Sequence, residues 1–295
     1  AGIYTVELRL QYNNNCADSL AKQITVYGNP TADFNSTNPC IGEDMQLTDA
    51  STPAVDINAW NWNLGNGATT QTQNGTYNYS TAGDHTVELI VTTTAGCKDT
   101  IAKQVNVRDK GNAQFTASPV CLGNTTQFTN TTDVTTYPVS GFAWAFGDGT
   151  GTSTATDPTY TYTNAGNYPT TIIAAFANGC ADTTTQTVIV NVNPTVTSVV
   201  TDVLCNGGND GSIALTPAAG QQPFGYVWTV SQSSATITGL TQGTYDVTFT
   251  DANTCSGTGS YQVNEPTQLT IDTVVVPITC YQYTDGVITV IAQNG

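Results

Sequence analysis

Histidine, methionine and basic residues are nearly missing from this sequence. Its 295 residues include one His, one Met and six Lys plus Arg, and only 9% are charged. Nucleophile–base catalysis usually needs a group that titrates near neutrality, most often His. The single candidate, His85, falls on a repeat position that Tyr4 and Tyr168 hold elsewhere, which marks it as half-exposed strand filler. One His and no CxxC pair among eight Cys also argue against structural zinc. Against the six basic residues stand 22 Asp plus Glu, a formal charge of -16 that repels nucleic acid and anionic membranes. No stretch approaches the roughly 18–20 apolar residues of a membrane helix, and no signal peptide opens the chain. Glycine-rich segments link strand to strand with no helix following, so phosphate-binding loops are excluded.

Thr, Asn, Val, Gly and Tyr are abundant, a strand-and-turn composition. Trp60, Trp62 and Leu64 alternate with polar residues, as do Phe142, Trp144 and Phe146, and Val87, Leu89 and Val91. This period of two describes half-buried antiparallel strands. Turn signals separate them at Gly65-Asn66-Gly67, Ala95-Gly96, Gly147-Asp148-Gly149 and Asn178-Gly179. About seven short strands in some 80 residues give a two-sheet sandwich.

Repetition organises the chain. A shift of 81 carries Cys16 to Cys97, Phe34 to Phe115 and Cys40 to Cys121; a shift of 83 carries His85 to Tyr168 and Cys97 to Cys180. A different unit follows Pro194, where a shift of 75 brings Cys205 to Cys280 and Asp210-Gly211 to Asp285-Gly286. The expected fold is all-β: immunoglobulin-like antiparallel β-sandwiches in tandem, forming an elongated rod. Residues 29–108, 109–193 and 194–266 are expected as domains. Residues 1–28 are expected as the C-terminal part of a preceding unit and 267–295 as the N-terminal part of a following one.

Trp144-Ala145-Phe146-Gly147-Asp148-Gly149, with Pro158, Tyr160-Thr161-Tyr162 and Gly166-Asn167-Tyr168, resembles the signature of polycystic-kidney-disease (PKD) domains. Residues 29–108 carry a variant, Trp62-Asn63-Leu64-Gly65-Asn66-Gly67, with Asn66 in the aspartate's place. The run from Cys205 to Ile213, with Pro223-Phe224-Gly225-Tyr226-Val227-Trp228, Gly243-Thr244-Tyr245 and Asp251-Ala252-Asn253-Thr254-Cys255, is similar to SprB repeats. Those repeats are known from gliding-motility adhesins of Bacteroidota. The resemblance implies a cell-surface protein exported by the type IX secretion system. It further implies a non-enzymatic stalk whose distal parts contact substratum or surface polysaccharide, and whose partners include neighbouring domains of the same long chain and the secretion and gliding machinery. The competing reading makes the domains accessory or carbohydrate-binding modules of a secreted polysaccharide-degrading enzyme.

Three sets of residues stand out. The cysteines favour an oxidising extracellular setting, and the expected disulfides lie within units: Cys40–Cys97, Cys121–Cys180 and Cys205–Cys255. A rival scheme at constant spacing (16–40, 97–121, 180–205, 255–280) would place sulfurs across a domain boundary and an intervening strand. One question stays open in the favoured scheme: whether the first cysteine, just before strand two, and the second, beside the last hairpin, lie at the same end of a simple sandwich or at opposite ends. Asp148 with Asp157, and Asp210 with Asp251, are candidate calcium ligands; alternatively these residues simply build turns. No other cofactor is expected. Trp62, Trp144 and Trp228 read as core, and Trp60 as partly exposed. Finally, the resemblance to Bacteroidota proteins implies O-glycosylation at Ser19, Thr100, Thr183 and Thr273, each directly after an aspartate.

Overall fold

Strands inside the sandwiches bury about one side chain in two. In the computed structural model, which describes residues 1–13, 16–282 and 284–293, the strand Gly83–Thr93 buries Val87, Leu89 and Val91 and leaves their neighbours wetter. Such alternation puts an apolar face on one side of a sheet and requires a second sheet to cover it. The chain is accordingly all-β, with tandem antiparallel sandwiches. Contacts divide it into two compact units: Ala1–Ala113 with Thr132–Phe142 and Ile173–Thr183, and Gln114–Thr131 with Ala143–Ile172 and Thr184–Gly295.

The first unit opens with a long hairpin, β1 (Gly2–Gln11) and β2 (Ala17–Val26), paired from Gly2↔Val26 to Gln11↔Ala17. Ile3, Val6, Leu8, Leu10 and Leu20 on it are all more than half exposed. Next come β3 (Phe34–Ser36), β4 (Asp44–Asp49), β5 (Ile57–Asn63), β6 (Thr69–Thr70), β7 (Gly75–Asn78), β8 (Gly83–Thr93) and β9 (Lys98–Val107). They form a three-stranded sheet, β3-β4-β7, and a four-stranded one, β6-β5-β8-β9. Between the sheets sit Phe34, Met45, Leu47, Trp62, Leu64, Val87, Leu89, Val91 and Val105. Phe34 meets Trp62 edge-on at 5.1 Å between ring centres, a favourable aromatic geometry.

The next strands are β10 (Phe115–Ala117), β11 (Val120–Cys121), β12 (Thr126–Asn130), β13 (Val139–Ala145), β14 (Thr152–Ser153), β15 (Thr159–Tyr160), β16 (Gly166–Phe176) and β17 (Ala181–Asn191). Their sheets are β10-β12-β15 and β11-β17-β16-β13-β14, with β11 parallel to β17 through Cys121↔Asn191. In the second unit Phe115, Phe128, Trp144 and Phe146 pack as one aromatic group, with ring centres 5.0–6.1 Å apart. There follow β18 (Thr195–Thr201), β19 (Gly211–Ala219), β20 (Gly225–Trp228), β21 (Thr236–Leu240), β22 (Gly243–Thr250) and β23 (Ser256–Val263), in sheets β18-β19-β21 and β20-β22-β23. Ile213, Leu215, Trp228, Ile237, Val247 and Phe249 fill the space between these two sheets. An exposed hairpin, β24 (Thr270–Val276) and β25 (Val287–Gln293), comes last; residues 294 and 295 of the expected final part-unit lie outside the described residues.

Small devices recur from repeat to repeat. Asp99 Oδ2 accepts the Ala32 N–H at 2.8 Å, and Asp182 Oδ2 accepts the Ala113 N–H at 2.9 Å. Lys103 Nζ donates to the Phe34 carbonyl, and Gln186 Nε2 to that of Phe115 at 2.9 Å. In both repeats the last strand thereby satisfies backbone groups where the chain enters the sandwich, groups that no ladder would otherwise pair. No helix among the described residues is long and apolar enough to cross a membrane.

Candidate functional site: crosslinks, turns and exposed hydroxyls

Disulfides join Cys40 to Cys180 and Cys121 to Cys255, with Cα atoms 5.8 and 5.5 Å apart. The expected pairs Cys40–Cys97, Cys121–Cys180 and Cys205–Cys255 are therefore corrected. Strand geometry gives the reason. Cys40 bridges to Arg108, just past the end of β9, while Cys97 precedes the start of that strand. Ten residues of strand separate them, about 33 Å, far beyond disulfide reach. Cys121 and Cys180 likewise flank opposite ends of β17. Val203, beside Cys205, donates its N–H to the Asn264 carbonyl past the end of β23, whereas Cys255 precedes that strand. In each of the sequence domains 29–108, 109–193 and 194–266 the first cysteine sits where the last strand ends and the second where it begins. A bond to the following domain satisfies this geometry. Cys16, Cys97, Cys205 and Cys280 are free thiols.

Polar contacts frame each crosslink. Arg108 Nη1 donates to the Asn178 carbonyl at 2.6 Å, Asn178 Nδ2 donates to the Asp109 carbonyl at 2.7 Å, and Lys110 pairs with Asp182 at 3.0 Å. Beside the second bond, Asn193 Nδ2 donates to the Leu122 carbonyl at 2.9 Å. Buried Asp251 accepts N–H bonds from Asn253 and Cys255 through Oδ1 and from Gln221 through Oδ2. Cys40, Cys180 and Cys255 are buried, so water and reductants reach these sulfurs poorly.

The other candidate calcium ligands are also occupied as turn builders. Asp148 Oδ1 accepts the N–H groups of Thr150 and Gly151 at 3.0 and 2.8 Å, and its Oδ2 takes the Tyr160 hydroxyl. That phenol bond, with the two backbone donors after it, lowers the Asp148 pKa to about 2. Asp157 accepts the Asn130 N–H, and Asp210 the Leu204 N–H. Among the described residues no group of three or more His, Cys, Asp or Glu is placed to hold a metal ion. These bonds place Asp148, Asp157, Asp210 and Asp251 in turns, where each carboxylate accepts backbone N–H groups.

His85 and the tryptophans take structural positions. The His85 ring stacks on Tyr79 at 4.1 Å, as Tyr168 stacks on Tyr162 at 4.1 Å. His85 Nε2 meets the Thr81 carbonyl at 3.2 Å, where Tyr168 donates its hydroxyl to the Asn164 carbonyl at 2.7 Å. Burial, and after it the neighbouring Tyr77, push the Tyr79 hydroxyl up to about 12. Trp62, Trp144 and Trp228 are buried, each donating its indole N–H to a carbonyl, those of Thr72, Ala155 and Ser234. Trp60 is half-buried and donates to Asp49 Oδ2 at 2.8 Å. A shallow concavity of about 490 Å³ lies over β20, β22 and β23, lined by Val227, Thr229, Thr248 and Ser260 among others.

Ser19, Thr100, Thr183 and Thr273 are all exposed on strands. The aspartates before them are engaged with backbone: Asp18 and Asp272 accept the N–H of Ser19 and Thr273, and Asp99 and Asp182 make the entry bonds described above. Each Asp-Thr pair in the PKD-like repeats thus has a structural task as well as an accessible hydroxyl.

The PKD domain model matches residues 27–108 and 112–192, more than half of the chain. The chain belongs to the PKD domain family. The SprB repeat model matches residues 197–232. A search of curated proteins finds no match. Among solved structures, the PKD1 domain of the Vibrio cholerae metalloprotease PrtV is similar, at 28% identity over 27% of this chain and 98% of its own, with a TM-score of 0.25. Three N-terminal domains of the bacteriophage RB49 outer capsid protein Hoc are similar at 12% identity, covering 81% of this chain and 99% of theirs (TM-score 0.37). A Bacteroides ovatus protein, SGBP-B, solved with a mixed-linkage heptasaccharide, is similar at 15% identity over 88% of this chain and 76% of its own (TM-score 0.24). PKD domains joined to an SprB repeat and tied by disulfides fit an extracellular, adhesin-like stalk, and domains of this kind are typically non-catalytic.

Proposed function

We infer that this PKD–SprB chain is a non-enzymatic stalk segment of a large bacterial surface adhesin, spacing and presenting adhesive parts during surface attachment or gliding. One observation carries the reading: two PKD matches and an SprB match lie in series, and each neighbouring pair is joined by a disulfide. Cysteine oxidised in this pattern belongs outside the cytosol. In the proposal residues 29–108, 109–193 and 194–266 are the domains. Residues 1–28 and 267–295 belong to flanking units that complete the two exposed hairpins, since two strands alone are marginal in water. Export runs through the type IX secretion system, distal parts bind substratum or surface polysaccharide, and Ser19, Thr100, Thr183 and Thr273 accept O-glycans.

Deleting the parent gene in its host, with antibody labelling of intact cells, tests this. Surface labelling together with lost attachment or gliding is the expected result. Loss of polysaccharide hydrolysis with attachment intact would favour the accessory-module reading instead.

A further inference from the structure

The two disulfides interlock. Cys40–Cys180 closes one loop and Cys121–Cys255 a second, and both loops contain the stretch from 121 to 180. Along the backbone, Cys40 and Cys255 are 215 residues apart (255 less 40). Through the bonds the route runs from 40 across to 180, backwards to 121, and across to 255, only 59 residues (180 less 121). We propose that these crosslinks form a covalent tension path through the array. It leaves residues 41–120 and 181–254 slack under load and passes the force through the central PKD domain between Cys121 and Cys180.

The slack stretches hold most of the first and third sandwiches, including Trp62 and the strands β19 to β22. Backbone that is off the load path cannot be drawn out, whatever the stability of the domain it forms. Force enters the central domain in a resistant direction. Cys180 immediately precedes β17, and Cys121 lies in β11 opposite Asn191, the last residue of that strand. Until the central domain yields, the pull runs along the 11 residues of β17, about 35 Å, and β17 joins the slack stretch only afterwards. Ladder hydrogen bonds lie across the strand direction, so a pull along β17 loads them together by sliding, where a pull from one end would unzip them singly. Hydrogen bonds from Arg108, Asn178 and Asn193 hold the chain beside both crosslinks. This tension path goes beyond the stalk reading, because it follows from the two bonds whatever the array presents.

Stretching single molecules tests it. The variant carrying Cys16→Ser, Cys97→Ser, Cys205→Ser and Cys280→Ser retains only the four bonded cysteines, and its thermal unfolding is first matched to that of the parent. Held at residues 1 and 295, it has an oxidised path of 39, 59 and 40 residues, 138 in all, against 294 without the bonds. At about 3.5 Å per residue these are about 48 nm and about 100 nm. The expected result is full extension near 48 nm, rising to about 100 nm in dithiothreitol. Adding Cys40→Ser leaves a path of 160 residues through Cys121–Cys255, about 56 nm. An oxidised extension of about 100 nm would overturn the proposal. So would about 82 nm, the mark of a Cys121–Cys180 bond alone, or about 77 nm in the Cys40→Ser form, the mark of Cys180–Cys255.

Discussion

The Asp148 carboxylate accepts the Tyr160 hydroxyl, while at the matching turn of the preceding repeat the Asn66 amide donates to the Tyr77 hydroxyl at 2.9 Å. The same turn is thus closed by a phenol with the bond reversed. In both repeats the residue's Oδ1 accepts backbone N–H bonds further along the turn, from Thr150 and Gly151 in one and from Ala68 in the other.

Acid should act on the charged version alone. The Asp148 pKa is lowered to about 2, below its ordinary value of 3.8. A depressed carboxylate contributes stability that is present above the unfolded pKa and is lost as pH falls through the folded one. Asp148→Asn, which copies Asn66, should fold, and its urea midpoint should change less than that of the parent between pH 4 and pH 2. An equal acid response in both proteins would show that the turn does not report on this carboxylate.

Trp144 is buried among Phe115, Phe128 and Phe146 and donates to the Ala155 carbonyl. Trp144→Ala should cost about 3–5 kcal/mol of domain stability, measured by denaturant unfolding. Trp60→Ala should cost distinctly less, because Trp60 is only half-buried.

His85→Tyr should be nearly neutral, within about 0.5 kcal/mol. Tyr168 already makes the equivalent stack and the equivalent carbonyl contact. Melting curves of the two proteins check this, and a large loss would mean that the imidazole has a task its sister repeat lacks.

Alkylation of the native, non-reduced protein followed by peptide mapping should label Cys16, Cys205 and Cys280 quickly and half-buried Cys97 more slowly. Cys40 should appear joined to Cys180, and Cys121 to Cys255.

The intact mass of protein from its native host should exceed the sequence mass by whole glycan units, mapping to Ser19, Thr100, Thr183 or Thr273. An unmodified mass ends that proposal.

Local chemistry made the sandwiches legible in the residues. Val87, Leu89 and Val91 declare a half-buried strand because successive side chains point to opposite faces of a sheet. Repetition made Trp62 and Trp144, or His85 and Tyr168, recognisable as one position each, and equivalence pointed to a structural role. The aspartates were legible only in part: Asp148 in Gly-Asp-Gly reads equally as a turn former or a ligand, and its donors become visible only once Tyr160 has folded against it. The cysteines were beyond reading by spacing. A strand of ten residues carries Cys97 about 33 Å from Cys40, yet folding brings Cys180, 140 residues away in sequence, to a Cα distance of 5.8 Å. Side-chain alternation is a property of neighbours and is written in the sequence. Disulfide pairing depends on which strand ends meet, and only the tertiary structure decides that.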